Sequence, residues 1–328
     1  MKAVVCPTYG SPDVLELQEV AKPIPKDNEV LVKVYASSVN AADWRLMRAD
    51  PPLVRLTDGF SKPKHAILGS DVAGRVEAVG KDVTQFKPGD EVFGDLSAVG
   101  FGAFAEYVAA PEAALVSKPV NLTFAQAAAA PMAAVTALQG LRDYGKIEAG
   151  QSVLINGASG GVGSFAVQLA KSFGAKVTGV CSTGKVDTVR SLGADHIIDY
   201  EKEDITQSAQ RYDLILGVGG FYPLGAYKRA LRPGGRYVMT GGETKQIFQA
   251  VLLGPLMSMR GDRKLMSYVA KPSQKDLTFI GGLLESGDVV PVIDKTYPLA
   301  EVPEAVRYLE AGRVRGKVVI SVARDDGV

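Results

Sequence analysis

The sequence predicts an α/β protein in which a β-rich domain is joined to a doubly wound, parallel-sheet (Rossmann) domain. Three observations predict it. Residues 1 to about 117 hold short β-branched runs separated by turn signals; from about 120 apolar strands alternate with helical or turn-rich stretches; and the tail returns to β character.

In order along the chain, EVLVKVYASSV, AGRVEAVG and DEVFG read as strands of the first domain, with Lys87-Pro88-Gly89-Asp90 as a turn between them. An Ala-rich helical stretch follows. Five apolar strands come next, SVLINGA, KVTGVCS, HIIDY, LILGVG and RYVMTG, with LMSYVA at 265–270 as a sixth and a helix near 273–286. Strand alternating with helix implies a parallel sheet covered on both faces. The tail VVPVIDKTYPL, PEAVRYLEAG and GKVVISV then completes the first domain. The expected division is therefore 1–120 with 287–328 for the β-rich domain, and 121–286 for the parallel-sheet domain.

At 328 residues and 46% apolar composition the chain is long enough for two cores. A net charge of +1 with no basic block excludes nucleic acid as an obligate partner and leaves a small molecule as the expected ligand. Cys6 and Cys181 are too few for a disulfide framework and sit in strand-like runs, which fits a reducing, cytoplasmic setting. The N-terminus has no apolar core of signal-peptide length. The longest apolar stretches, AAAAPMAAVTAL and IFQAVLLGPLMSM, are broken by Pro and too short to span a bilayer, so no integral membrane segment is expected. The second of them could line a substrate site, meet another subunit or rest on a membrane surface, with a cleft or core position preferred.

INGASGGVG, residues 155–163, satisfies two motifs. As G-x-S-x-G it is a nucleophile elbow around Ser159; as glycines at 157, 160 and 163 it is a dinucleotide cradle. Both need a strand before and a helix after, and Val162, Phe165, Ala166, Leu169 and Phe173 supply the helical period, with Gly174 to end it. The elbow also needs an acid and a His later in the chain. Only two histidines exist, His65 ahead of the serine and His196 at the head of a strand of the same sheet, so the cradle is favoured. Glycines let the backbone approach a pyrophosphate, and first-turn N–H groups supply donors. Gly157, Ser159, Gly160, Gly161 and Val162 are the candidate contacts.

The next strand should end at the adenosine ribose. NAD-selective sites usually place an acid there; this chain has Ser182, Thr183, Gly184 and Lys185. Hydroxyls and an ammonium suit a 2′-phosphate, so NADPH is the expected cofactor, unless Lys185 is only a solvated residue at a helix start. Tyr200, after HIID, could stack on the adenosine end or simply pack.

Taken together, SSVNAADWRLMR, LGSDVAGRVEAVG, PMAAVTALQGL, ASGGVGSFAVQLAK, LGADHIIDY and LRPGGRYVMTGG resemble the medium-chain dehydrogenase/reductase superfamily over nearly the whole chain, in its zinc-free quinone oxidoreductase branch. That resemblance implies a GroES-like catalytic domain, an NADPH-binding Rossmann domain and often a homodimer paired through the sixth strand. Zinc-using members carry Cys three residues before the early Asp, and later Gly-His-Glu. Here Asn40 precedes Asp43, and Gly69-Ser70-Asp71 replaces the second set; the four-cysteine structural lobe is also missing, so no metal is expected. Without a metal to polarise a carbonyl, the tractable acceptor is already electron-poor: a quinone or an α,β-unsaturated carbonyl.

The resemblance implies site residues one by one. Asn40, whose amide can donate to a developing oxyanion, is the first catalytic candidate, although a loop-capping Asn fits the residues equally. Arg45 matches a basic position that would contact cofactor or substrate. Asp43 holds the loop, and Trp44 walls the pocket or packs. Thr136, at a helix start, would meet the nicotinamide ribose or amide. Gly241 would pass close to the cofactor, and Ser267, Tyr268 and Val269 would offer backbone to the carboxamide. Tyr222 is a further pocket phenol, and Gly316 and Lys317 form a terminal pair near the cofactor. The alternative function is an NADPH-binding structural or regulatory protein with little turnover.

Overall fold

A computed structural model of the chain describes residues 1–205, 208–259 and 261–323. It divides into two compact units, each described by itself. The first holds Met1–Val135, Pro272–Gly287 and the chain from Pro291 on; the second holds Thr136–Lys271 with Asp288–Val290.

In the first unit, strands β1 (Lys2–Val5) and β2 (Glu16–Glu19) form a small antiparallel pair. A larger sheet is built from β3 (Glu29–Val39), β4 (Asp71–Val79), β5 (Glu91–Asp95), β6 (Tyr107–Pro111) and β7 (Leu115–Ser117). The second unit's strands are β8 (Ser152–Asn156), β9 (Lys176–Cys181), β10 (His196–Asp199), β11 (Tyr212–Gly217), β12 (Leu231–Met239) and β13 (Lys264–Ser267). The chain then returns as β14 (Ile293–Pro298) and β15 (Lys317–Ser321), giving the first unit's sheet the order β14-β15-β3-β4-β5-β7 with β6 also on β3. Alternation places Val30, Val32 and Val34 of β3 in one core with Val72, Val76 and Val92. Each such side chain stabilises the unit by roughly 1.5–3 kcal/mol through its burial. Antiparallel pairing of β3 with β15 brings Val39 opposite Val318, and so draws the two ends of the chain into one sheet.

The second unit's sheet is parallel, in the order β10-β9-β8-β11-β12-β13. Chain direction across the sheet reverses between β8 and β11, the switch point at which ligands of such sheets sit. The helix Gly161–Ser172 lays Phe165, Ala166 and Leu169 on the sheet, all fully buried.

Four features differ from the sequence reading, the first being that the second unit begins at Thr136 rather than at 121. The helix Gln274–Ser286, read as part of the parallel-sheet domain, clusters with the first unit: Gln274 Nε2 donates to the Leu115 carbonyl at 2.8 Å, and Asn121 Nδ2 to that of Glu285 at 2.9 Å. The sixth strand ends at Ser267 rather than at residue 270. The stretch IFQAVLLGPLMSM lies mostly in the helix Thr244–Ser258, which buries Gln246, Ala250 and Gly254 and leaves Val251, Leu252 and Leu256 more than half exposed, so its apolar face is not core. Among the described residues no helix is long and apolar enough to cross a membrane.

Candidate functional site

In the second unit the site is made of backbone. Gly157 leaves β8 at φ +87°, a left-handed conformation, and a Cβ there would lie 2.8 Å from the Gly219 nitrogen. Gly163 must lack a Cβ for another reason: one would stand 2.0 Å from the Gly157 carbonyl oxygen. Gly160 N–H donates to that carbonyl at 3.2 Å, and Ser164 N–H returns to Gly160 at 2.9 Å. The first-turn N–H groups of Gly161, Val162 and Gly163 therefore have no acceptor within their helix and point toward its open end. Ser159 is buried in the turn. Gly241 follows β12, where a Cβ would stand 2.6 Å from the Val218 carbonyl, so the ends of β8, β11 and β12 converge backbone to backbone. Asn156, which sequence reasoning passed over inside its own motif, fixes this convergence: its Nδ2 donates to the Gly219 carbonyl and to the Tyr227 hydroxyl, each at 2.7 Å.

These features suit a dinucleotide's pyrophosphate, which needs donors, a positive helix end and no side chains in the way. They do not suit a nucleophile elbow. His196 opens β10, level with Thr178 in β9, and is exposed below the turn's end of the sheet. Cys6 and Cys181 are buried thiols, each raised to about 11 chiefly by burial, and so are poor nucleophiles.

At the end of β9, Ser182 leads into a single turn, Thr183–Lys185. The turn itself is free of acids, but β10 lies beside β9 and delivers them. Thr183 Oγ1 donates to Asp199 Oδ2 at 2.6 Å, and Thr183 N–H to Glu201 Oε2 at 3.1 Å. The Thr183 hydroxyl and the Lys202 ammonium beside Asp199 hold its carboxyl below the usual range. Tyr200 is 53% exposed and lines a shallow pocket with Glu201, Lys202, Glu203, Tyr222 and Pro223.

Tyr268 turns inward, stacks on Tyr144 with ring centres 4.4 Å apart, and donates its hydroxyl to the Thr136 carbonyl. Burial holds that phenol well above its ordinary range. Thr136 lies within the helix Pro131–Gln139, not at its start. Ser267 ends β13, and Val269 is 86% exposed.

In the first unit the candidate residues form a buried polar cluster. Asn40 precedes the helix Ala41–Arg48, at the end of β3, and β4 begins at Asp71 alongside. Asp71 is fully buried and saturated: Oδ2 accepts from Ser38 Oγ (2.6 Å), Asn40 Nδ2 (2.8 Å) and Lys317 Nζ (3.2 Å), and Oδ1 from Met132 N–H (2.9 Å). Asn40 Nδ2 also reaches Ser70 Oγ at 3.1 Å, and its Oδ1 accepts from Lys317. An Asn amide has two N–H donors. Both are used inside the protein here, so the arrangement differs from the expected one of an amide aimed at an outside oxygen. Lys317 is likewise not a surface residue but 3% exposed, behind Gly316, whose φ is +88°. Arg45 stacks over Trp44 at 4.8 Å and pairs with Asp50 at 3.5 Å.

Asp43 holds the loop, accepting from Asn40 N–H at 2.7 Å and Gly69 N–H at 3.2 Å. Complete burial, with Asp71 nearby, raises its carboxyl to about 7, and burial beside Asp71 raises that of Asp95 to about 6. A carboxyl raised on folding keeps its proton in the native state after the unfolded chain has lost it, so its contribution to stability falls as pH rises from about 4 to about 7. Asp43→Asn should flatten this part of the curve, whatever its effect on absolute stability. Parallel wild-type and variant curves in urea would contradict the assignment.

The positions that would hold zinc in zinc-using dehydrogenases thus close on an ammonium. Among the described residues no group of three His, Cys, Asp or Glu is arranged to hold a metal. Amide, hydroxyl and one carboxylate already bound to Lys317 are also a poor donor set for zinc.

Known proteins resemble the chain in both of its parts. Residues 26–120 match the alcohol dehydrogenase GroES-like domain, and 192–320 match a zinc-binding dehydrogenase domain. The chain is 39% identical to 2-methylene-furan-3-one reductase of Solanum lycopersicum, over 98% of this chain and 79% of that protein. It is 37% identical to the chloroplastic NADPH-dependent alkenal/one oxidoreductase of Arabidopsis thaliana, with the same coverage. Among solved structures, the quinone oxidoreductase of Coxiella burnetii superimposes with a TM-score of 0.87 at 29% identity, covering 98% of this chain and 99% of that one.

Proposed function

This chain belongs to the medium-chain dehydrogenase/reductase superfamily, among its quinone-oxidoreductase-like and enone reductases, and from that membership we propose that it is a zinc-independent, NADPH-dependent reductase of quinones or α,β-unsaturated carbonyls. The observation that carries the reading is the backbone-only cradle at the switch point of the second unit's sheet; within the first unit, an Asn40–Asp71–Lys317 cluster stands in place of metal ligands. When bound, NADPH supplies a hydride for the β-carbon of an enone or for a quinone, and the acceptor's carbonyl oxygen takes up the negative charge.

The chain's own residues bind, orient and supply fixed charge. Gly161 and Val162 present N–H groups to the pyrophosphate, Gly157 and Gly160 shape the turn that leaves room for it through their own internal bonds, and Ser159 is buried beneath them. Ser182, Thr183 and Lys185 face the ribose end, and Tyr200 offers a ring to the adenine. Gly241, Thr136 and the Ser267–Val269 segment border the nicotinamide end. Asn40 acts by orienting Lys317 rather than by donating to the substrate, and Gly316 lets β15 begin where that ammonium is needed. Arg45 adds a second cation, its guanidinium held against Trp44. A homodimer through β13 belongs to the same reading, supported by that strand's place at the sheet edge.

The purified protein should oxidise NADPH only when a short-chain enone or a quinone is added, and dialysis against a chelator should leave the rate unchanged. A rate lost on dialysis and restored by zinc would overturn the metal-free part. NADPH binding with neither acceptor consumed would favour a non-catalytic role.

A further inference from the structure

We infer that Glu201 sets cofactor specificity by competing with the 2′-phosphate of NADPH for the Thr183 amide. The inference rests on the proposed reading of this turn as the adenosine end of the cofactor site. The sequence Ser182-Thr183-Gly184-Lys185 carries no acid, yet parallel pairing sets β10 beside β9 and brings the residues that follow β10 against it. Asp199 takes the Thr183 hydroxyl at 2.6 Å and is itself offset by Lys202 at 3.1 Å. Glu201 accepts the Thr183 N–H at 3.1 Å, and its own N–H donates to Asp199 Oδ1 at 3.2 Å, which anchors the residue at this spot.

A carboxylate on a backbone amide, one turn from Lys185, stands where a phosphate oxygen would be held. A 2′-phosphate arriving here must displace Glu201 and then bind beside its charge, with Thr183 Oγ1 already given to Asp199. A 2′-hydroxyl meets the opposite situation, because it can donate to Glu201 as it stands. Glu201 therefore narrows the preference for NADPH over NADH that Ser182 and Lys185 create. The residue is exposed, so replacing it should not disturb the core.

The test is calorimetric titration of the full chain, wild type against Glu201→Gln and Glu201→Ala, with adenosine 2′,5′-bisphosphate and with 5′-AMP. No turnover is required. Both variants should bind the bisphosphate about fivefold tighter, the size expected for removing one exposed like charge, and should bind 5′-AMP no tighter than wild type. Unchanged bisphosphate affinity, or equal tightening for both ligands, would overturn the role of Glu201 while leaving the site in place. If neither ligand binds wild type or variants, the reading of the site fails and the inference fails with it.

Discussion

Lys317→Met should lower the stability of the protein by about 3–5 kcal/mol, the usual consequence of removing one partner from a buried ion pair. The Lys317 side chain is 3% exposed and that of Asp71 fully buried, so water cannot replace the lost ammonium. Met fills much of the same volume, which confines the change to charge and hydrogen bonding. Asp71 would keep its bonds from Ser38, Asn40 and Met132, so the lower end of the range is expected. Adding Asp71→Asn removes the stranded charge and should recover about 1–3 kcal/mol of the loss. Urea denaturation of the two single variants and the double variant measures both quantities. A loss below about 1 kcal/mol for Lys317→Met, or no recovery in the double variant, would show that the cluster does not behave as a buried ion pair.

Gly163→Ala should weaken NADPH binding about tenfold to a hundredfold, or about 1.4–2.8 kcal/mol. The added methyl would stand 2.0 Å from the Gly157 carbonyl oxygen and 2.8 Å from Ala158 Cα, both backbone, so the turn must open. Opening it moves the N–H groups of Gly161 and Val162, on which the proposed anion site depends. Some stability is lost as well, about 1–3 kcal/mol by the measure of overpacked cores. Gly160→Ala is the control for stability: its Cβ would meet nothing nearer than the Gly157 carbonyl oxygen at 3.6 Å, and the fold should hold within about 1 kcal/mol. Titration of nicotinamide fluorescence gives the binding constants. Equal affinity in Gly163→Ala and wild type would place the cofactor elsewhere.

The glycine turn was legible because everything it needs is local: an apolar strand, glycines at 157, 160 and 163, and a helix with its apolar stripe on Phe165 and Leu169. The parallel sheet followed from the alternation of strands and helices for the same reason. The Asn40 cluster was not legible in this form. Asn40 and Lys317 are 277 positions apart and meet only because β15 pairs with β3, while Asp71 arrives by the pairing of β3 with β4. Read singly, Asn40 looked like a donor for a substrate, Lys317 like a cofactor neighbour and Asp71 like the remnant of a lost metal-ligand set. Their burial together turns donors outward-facing in prospect into a closed network. A similar limit applied at the proposed ribose end, where the turn after β9 carries no acid, since Asp199 ends the neighbouring strand β10 and Glu201 follows it. The helix Gln274–Ser286 was visible by its period, but nothing local said that Gln274 would bond to Leu115.

The most direct test of the account is the fate of the hydride. Reaction of the purified protein with NADPH deuterated at nicotinamide C4 and a short-chain enone, followed by mass and position analysis of the product, reads that transfer alone. The expected product is a saturated carbonyl carrying deuterium at its β-carbon. Bound NADPH with no label in the enone product, and no conversion of a quinone to its hydroquinone in a parallel reaction, would contradict it.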